Sequence, residues 1–112
     1  MTSKGVEIER DEVGNGAEIA KGDRVTIRCR IRLNRGELVR DLEEVSFVLG
    51  SREVIAGLEK GVMGMRVGGR REFRVSPHLA YRDVGLPESI PPGAMLRFEV
   101  AVLAAERAGD LG

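Results

Sequence analysis

The chain has 112 residues, with 18 lysines and arginines against 18 aspartates and glutamates and a single cysteine. That length holds one core but not two, and a formal net charge of zero supplies no global field to draw it to nucleic acid or an anionic membrane. Cys29 alone closes no internal disulfide, no Cys or His cluster has metal-ligand spacing, and no run of about 18 apolar residues is present to span a bilayer. The opening MTSKGVEIERDE is polar where a signal peptide needs an apolar core, so the expected location is cytoplasmic.

In chain order, Val6 and Ile8 mark a first, weaker strand. From Asp23 to Leu33 the alternation is unbroken, with Val25, Ile27, Cys29, Ile31 and Leu33 on one face and Arg24, Thr26, Arg28, Arg30 and Arg32 on the other, the pattern of a half-buried strand. Asn34, Arg35 and Gly36 turn the chain, Glu37 to Arg40 begins its return, and Val45, Phe47 and Leu49 share one face before Gly50. The segment Glu53 to Arg71 then reads as one short helix followed by a glycine hairpin. Val54, Leu58 and Val62 recur every four residues and Ile55 and Leu58 every three, giving an inward apolar stripe.

Gly57, Gly61 and Gly64 each cost about 0.8 to 1 kcal/mol relative to alanine inside a helix. That cost is offset where backbone must approach a sheet or a ligand closely. Gly68 and Gly69 are expected to supply positive φ for the turn into the next strand. Arg70 to Val75 places Phe73 and Val75 inward, and after the turn Pro91, Pro92 and Gly93, Met95 to Leu103 buries Leu96, Phe98, Val100 and Val102. The predicted fold is α+β, an antiparallel five- to six-stranded sheet wrapped around one short helix. It forms one domain over residues 1–112, with a motif-bearing core at about 14–103 and flexible termini at 1–4 and 106–112.

These residues resemble a family. Gly14 and Gly16, Lys21-Gly22-Asp23, FVLG at Phe47 to Gly50, VIAGLEKGV at Val54 to Val62, GMRVGGRR at Gly64 to Arg71, SPHLAY at Ser76 to Tyr81 and IPPGAMLRFEV at Ile90 to Val100 occur in the order and spacing of the FKBP class of peptidyl-prolyl cis-trans isomerases, the macrolide-binding immunophilins. The resemblance implies a small single-domain isomerase acting on X-Pro bonds in folding or unfolded polypeptides. Proline-containing peptides or unfolded clients are its implied partners and macrolides its implied small ligands, with no cofactor, no metal, no nucleic acid and no membrane, in a monomer.

Such a reaction breaks no bond. The rotation barrier of about 18 to 20 kcal/mol comes from amide resonance, and an enzyme need only bind the twisted amide better than either planar form. The resemblance places the key donor at the backbone N–H of Ile55, a hydroxyl at Tyr81, and the pocket lining at Val54, Ile55, Leu58, Tyr81, Ile90, Phe98, Val39 and Cys29. The sequence also departs from the family. Cys29 stands where a tyrosine is usual, Val39 and Arg40 where phenylalanine and aspartate are, Val45 where another aromatic is common, Leu58 at a frequent tryptophan position and Arg82 after Tyr81 in place of glycine. With only Phe47, Phe73, Tyr81 and Phe98 as aromatics, the expected activity is weak.

Simpler readings stand beside these. Tyr81 reads equally as a core tyrosine bonded to backbone, Cys29 as a small buried hydrophobe, His78 as a helix-start residue, and the arginines of the first long strand as a solvated sheet face. Arg40 is placed to pair with Asp41, Glu43 or Glu44. The alternative to an enzyme is a catalytically silent module of the same fold that binds a peptide or protein partner.

Overall fold

Unbroken alternation makes strands here, and the longest alternating segments become the centre of the sheet. The structure, a computed structural model, describes residues 2–3, 5–76 and 93–107. Its elements are β1 (Thr2–Ser3), β2 (Val6–Glu12), β3 (Arg24–Leu33), β4 (Leu38–Val48), α1 (Ala56–Val62), β5 (Arg70–Val75) and β6 (Leu96–Glu106). All strand pairs are antiparallel, in the order β1-β2-β5-β6-β3-β4. The expected sheet of five to six strands with one short helix is observed among the described residues.

The inner face is apolar along most of its length. Ile8, Phe73, Phe98 and Ile31 form one continuous row across β2, β5, β6 and β3, and the rings of Phe73 and Phe98 stack with centroids 5.5 Å apart. Helix α1 lies over this row against β2 and β5. A Cβ at Gly61 would sit within the ring of Phe73, so the glycine is what lets the helix descend onto the sheet. Leu58 and Val62 complete the buried stripe.

Several local expectations change. The two apolar pieces expected after Leu33 are one 11-residue strand, β4. Its register against β3 shifts between Ile27 and Cys29: Val45 pairs with Ile27 but Leu42 pairs with Cys29, so Glu43 and Glu44 together oppose Arg28. This bulge puts Leu42 and Val45 on the same inner side at a spacing of three, which strict alternation misses. The helix begins at Ala56, not at Val54, because Ile55 is extended at φ −61°, ψ 149° and neighbouring Val54 and Ile55 are both β-branched. Gly68 does take positive φ, at 88°, whereas Gly69 does not. It is required instead because its Cα approaches the backbone of Gly14 and the carbonyl oxygens of Arg66 and Glu12.

Arg71 is the least expected member of the interior. It alternates inward with Phe73 and Val75 and is 7% exposed. Its guanidinium donates to both carboxylate oxygens of Asp11, at 3.1 and 3.2 Å, and to the carbonyls of Gly61 and Met63, at 2.9 and 2.8 Å. Those carbonyls belong to the last turn of α1, where backbone acceptors lack helical donors. Arg71 therefore ties the helix end to β2 and β5.

Candidate functional site

Because α1 rests on β2 and β5, the β3–β4 half of the inner face is left with a less complete cover among the described residues. Val39, Leu42 and Val45 from β4, with Val54 and Ile55 from the approach to α1, pack against the core but stay partly exposed. Behind them Cys29, Ile31 and Phe98 are buried, with Cys29 and Phe98 each 1% exposed. Leu58 is also buried. Of the residues expected to line a pocket, Val39, Val54 and Ile55 thus offer surface, while Cys29, Leu58 and Phe98 back it. Tyr81 and Ile90, like His78 and Arg82, lie outside the described residues. Leu42, absent from the expected set, belongs with Val45 to the exposed apolar rim. The pairing of Leu42 with Cys29 is the signal that finds it.

Ile55 is held from both sides. Its carbonyl accepts from the N–H groups of Leu58 at 3.1 Å and Glu59 at 3.3 Å, opening the helix. Its own N–H points out of the helical ladder and finds no hydrogen-bond partner among the described residues. The preceding loop is stitched to the same helical turn: the Glu59 carboxylate accepts from Gly50 N at 2.6 Å and Arg52 N at 3.4 Å, and the Glu53 carboxylate accepts from Val48 N at 3.3 Å. Glu59 is an acid in the first turn, where the helix dipole favours it. The outcome is a backbone donor outside the helical ladder, held in place by the helix start that follows it.

The titratable groups nearby are not set up for proton transfer or attack. Burial, with the Glu99 carboxylate adding to it, pushes the Cys29 thiol up to about 12, so it stays protonated. Nucleophilic sulfur chemistry needs the thiolate. Arg40 is exposed and makes none of the ion pairs expected of it; Asp41 faces Arg30 instead, at 3.6 Å. Among the described residues no group of three or more His, Cys, Asp or Glu could hold a metal ion. The described part of the region consists of a backbone N–H without a partner among the described residues and partly exposed apolar side chains.

The fold has known counterparts. A family model described as FKBP-type peptidyl-prolyl cis-trans isomerase matches residues 16–103, and the chain belongs to that family. It is 41% identical over 103 residues to FK506-binding protein 4 of Neurospora crassa, covering 89% of this chain and 22% of that protein. It is 39% identical over 104 residues to the 39 kDa FK506-binding nuclear protein of Drosophila melanogaster, covering 89% of this chain and 29% of the relative. Among solved structures, AtFKBP13 superposes with a TM-score of 0.83 at 28% identity, covering 90% of this chain and 93% of that one. FkpA from Escherichia coli gives 0.78 at 29% identity, over 92% of this chain and 48% of that one.

The chain spans less than a third of the length of the curated relatives it matches. The family read from the motifs is borne out. The cytoplasmic expectation is not: relatives from Drosophila melanogaster and Spodoptera frugiperda are both named nuclear proteins. The polarity of the segment MTSKGVEIERDE does not select between compartments.

Proposed function

We propose that the chain catalyses cis-trans isomerisation of X-Pro bonds in polypeptides, weakly, as a monomeric single domain over residues 1–112. The observation that carries this reading is the Ile55 N–H, which has no hydrogen-bond partner among the described residues, on a sheet whose core is flanked by the partly exposed apolar side chains of Val39, Leu42, Val45 and Val54. Rotation about the amide removes resonance and leaves a less polar linkage, which an apolar surface favours over water, while a fixed donor holds a substrate carbonyl in place. Ile55 supplies that donor, Tyr81 a hydroxyl, and Val39, Val54 and Ile90 the lining, with Cys29, Leu58 and Phe98 supporting it from behind. Proline-containing segments are the substrates, and macrolides such as the FK506 in the relatives' names are candidate competitors. Weakness follows from the aliphatic rim: Val39, Leu42 and Val45 cover less amide than rings would.

The test is NMR exchange spectroscopy on an Ala-Leu-Pro-Phe type peptide, which needs no coupled protease. The expected result is exchange above the uncatalysed rate, lowered about tenfold by Ile55→Pro and raised severalfold by Val39→Phe. Proline suits the observed φ of −61° and extended ψ of Ile55 and removes only the N–H among the backbone groups. Ile55→Val, which keeps the donor, should retain most of the activity. Exchange at the uncatalysed rate with wild-type protein, together with tight binding of the same peptide, would establish the second reading, a silent binding module. That reading is favoured by the burial of Phe47, Phe73 and Phe98 in the core.

A further inference from the structure

The outer face of the sheet carries a groove of about 350 Å³ whose lining includes Arg28, Arg30, Arg70, Glu99, Ala101 and Leu103. It is on the opposite side from Val39, Val54 and Ile55. Ala101 on β6 is in register with Arg28 on β3 and with Arg70 on β5. Neighbouring strands lie about 4.8 Å apart, so the two arginines stand about 10 Å apart. A methyl group between two long side chains leaves the depression, and Leu103, 47% exposed, closes one end.

The charges of this face are mostly spent. Glu72 pairs with Arg10 at 3.7 Å, Glu99 with Arg32 at 2.8 Å, and Asp41 with Arg30 at 3.6 Å, while Arg71 turns inward to Asp11. Arg28 and Arg70 make no ion pair or hydrogen bond among the described residues. Glu12 lies opposite Arg70, and Glu43 and Glu44 lie opposite Arg28 at the bulge, none within 4 Å of its neighbour. Arg28 and Arg70 therefore stand on either side of Ala101, without partners among the described residues, in a groove that Glu12, Glu72 and Glu99 also line.

We propose that this groove binds a phosphorylated serine or threonine side chain of a partner polypeptide. A phosphate monoester carries about −1.5 to −2 charges and three acceptor oxygens at pH 7, which suits two guanidinium groups that each donate bidentately. A carboxylate, with a single charge and two acceptor oxygens, matches two guanidinium groups less fully. A long polyanion is disfavoured because any path beyond the two arginines meets Glu12 on one side and Glu43 and Glu44 on the other, and the chain as a whole has no net charge. The residue flanking the phosphate on the partner would lie on Ala101 and Leu103, so an apolar neighbour is preferred.

Isotope-labelled protein titrated with a phosphoserine peptide, the same peptide bearing serine, the same bearing glutamate, and a short duplex DNA tests this. The expected result is movement of the Arg28 and Arg70 Nε–Hε signals and the Ala101 amide with the phosphopeptide alone. Arg28→Gln and Arg70→Gln should each weaken binding about tenfold, the loss of one charge-assisted contact, and Glu12→Gln should strengthen it. Binding should fade as the pH falls below about 6, where the phosphate dianion takes up a proton and becomes a monoanion. Prolyl exchange should be unchanged in both arginine variants, so the failure of this site and of the isomerase reading are separate results. Equal response to the glutamate or serine peptide, tighter binding of DNA, no response at millimolar phosphopeptide, or shifts spread evenly over Arg24, Arg30, Arg32 and Arg97 would each overturn the proposal.

Discussion

Cys29 shows how a single position is set by its depth. It is 1% exposed on β3, across from Leu42 and Val100, and its thiol is pushed from 9.0 up to about 12 by burial and by Glu99. A raised folded-state value means that the unfolded chain releases this proton first. Its contribution to stability is therefore complete below pH 9 and is lost as the pH climbs towards 12. Chemical denaturation from pH 8 to 11 should show wild-type protein losing up to about 1.4 kcal/mol per pH unit above 9 relative to Cys29→Val, which lacks the titrating group. A thiol reagent at neutral pH should react only as fast as the protein opens. Gly61 is the second such position. Alanine there overlaps the Phe73 ring, and urea titration should find Gly61→Ala destabilised by about 1 to 3 kcal/mol, the range for overpacking a filled core, although alanine is the better helix former.

At the scale of elements, the helix is too short to persist by itself: α1 has seven residues, and isolated helices below about 12 to 15 residues are marginal in water. Packing and end-tethers hold it. Leu58 and Val62 anchor one side, Glu59 gathers the loop before it, and Arg71 closes its C-terminal carbonyls. Leu58→Ala should cost about 2 to 5 kcal/mol in an equilibrium unfolding experiment. Arg71→Met keeps much of the volume but leaves the Gly61 and Met63 carbonyls and Asp11 without their donor. Its expected cost is about 3 kcal/mol, with amide exchange of the α1 residues accelerated more than that of β3. Exposed pairs such as Arg10 with Glu72, 70% and 40% exposed at their side chains, contribute little by comparison.

At the scale of the molecule, the sheet order puts β6 and β3 inside and β1 and β4 at the edges. Hydrogen exchange should be slowest at β6 and β3 amides, where apolar residues on one face and pairing on both sides must be lost together; faster exchange there than in β2 would contradict the observed order. The sheet also separates two surfaces of different chemistry, an inner face with the partly exposed Val39, Leu42 and Val45 and an arginine-lined groove near Ala101, so a proline peptide and a phosphopeptide should perturb opposite faces.

Much of this was legible in the sequence itself. The alternation of Val25 to Leu33 and of Leu96 to Val102 is a local property of period two, which dictates both strands and their buried faces before any partner is known. The ordered motifs from Gly14 to Val100 carried the family, and VIAG at Val54 to Gly57 is the segment on which the proposal for the Ile55 donor rests. Tertiary structure decided what depends on residues far apart in the chain. The β4 bulge is a matter of register with β3, so it alone brought Leu42 to the rim. The need for glycine at 69 comes from Gly14 crossing above it. Arg71, indistinguishable in sequence from the exposed arginines beside it, is drawn inside because Asp11 and the end of α1 meet there. Arg28 and Arg70 are 42 positions apart in the numbering, and only pairing with a third strand, β6, makes them two sides of one groove.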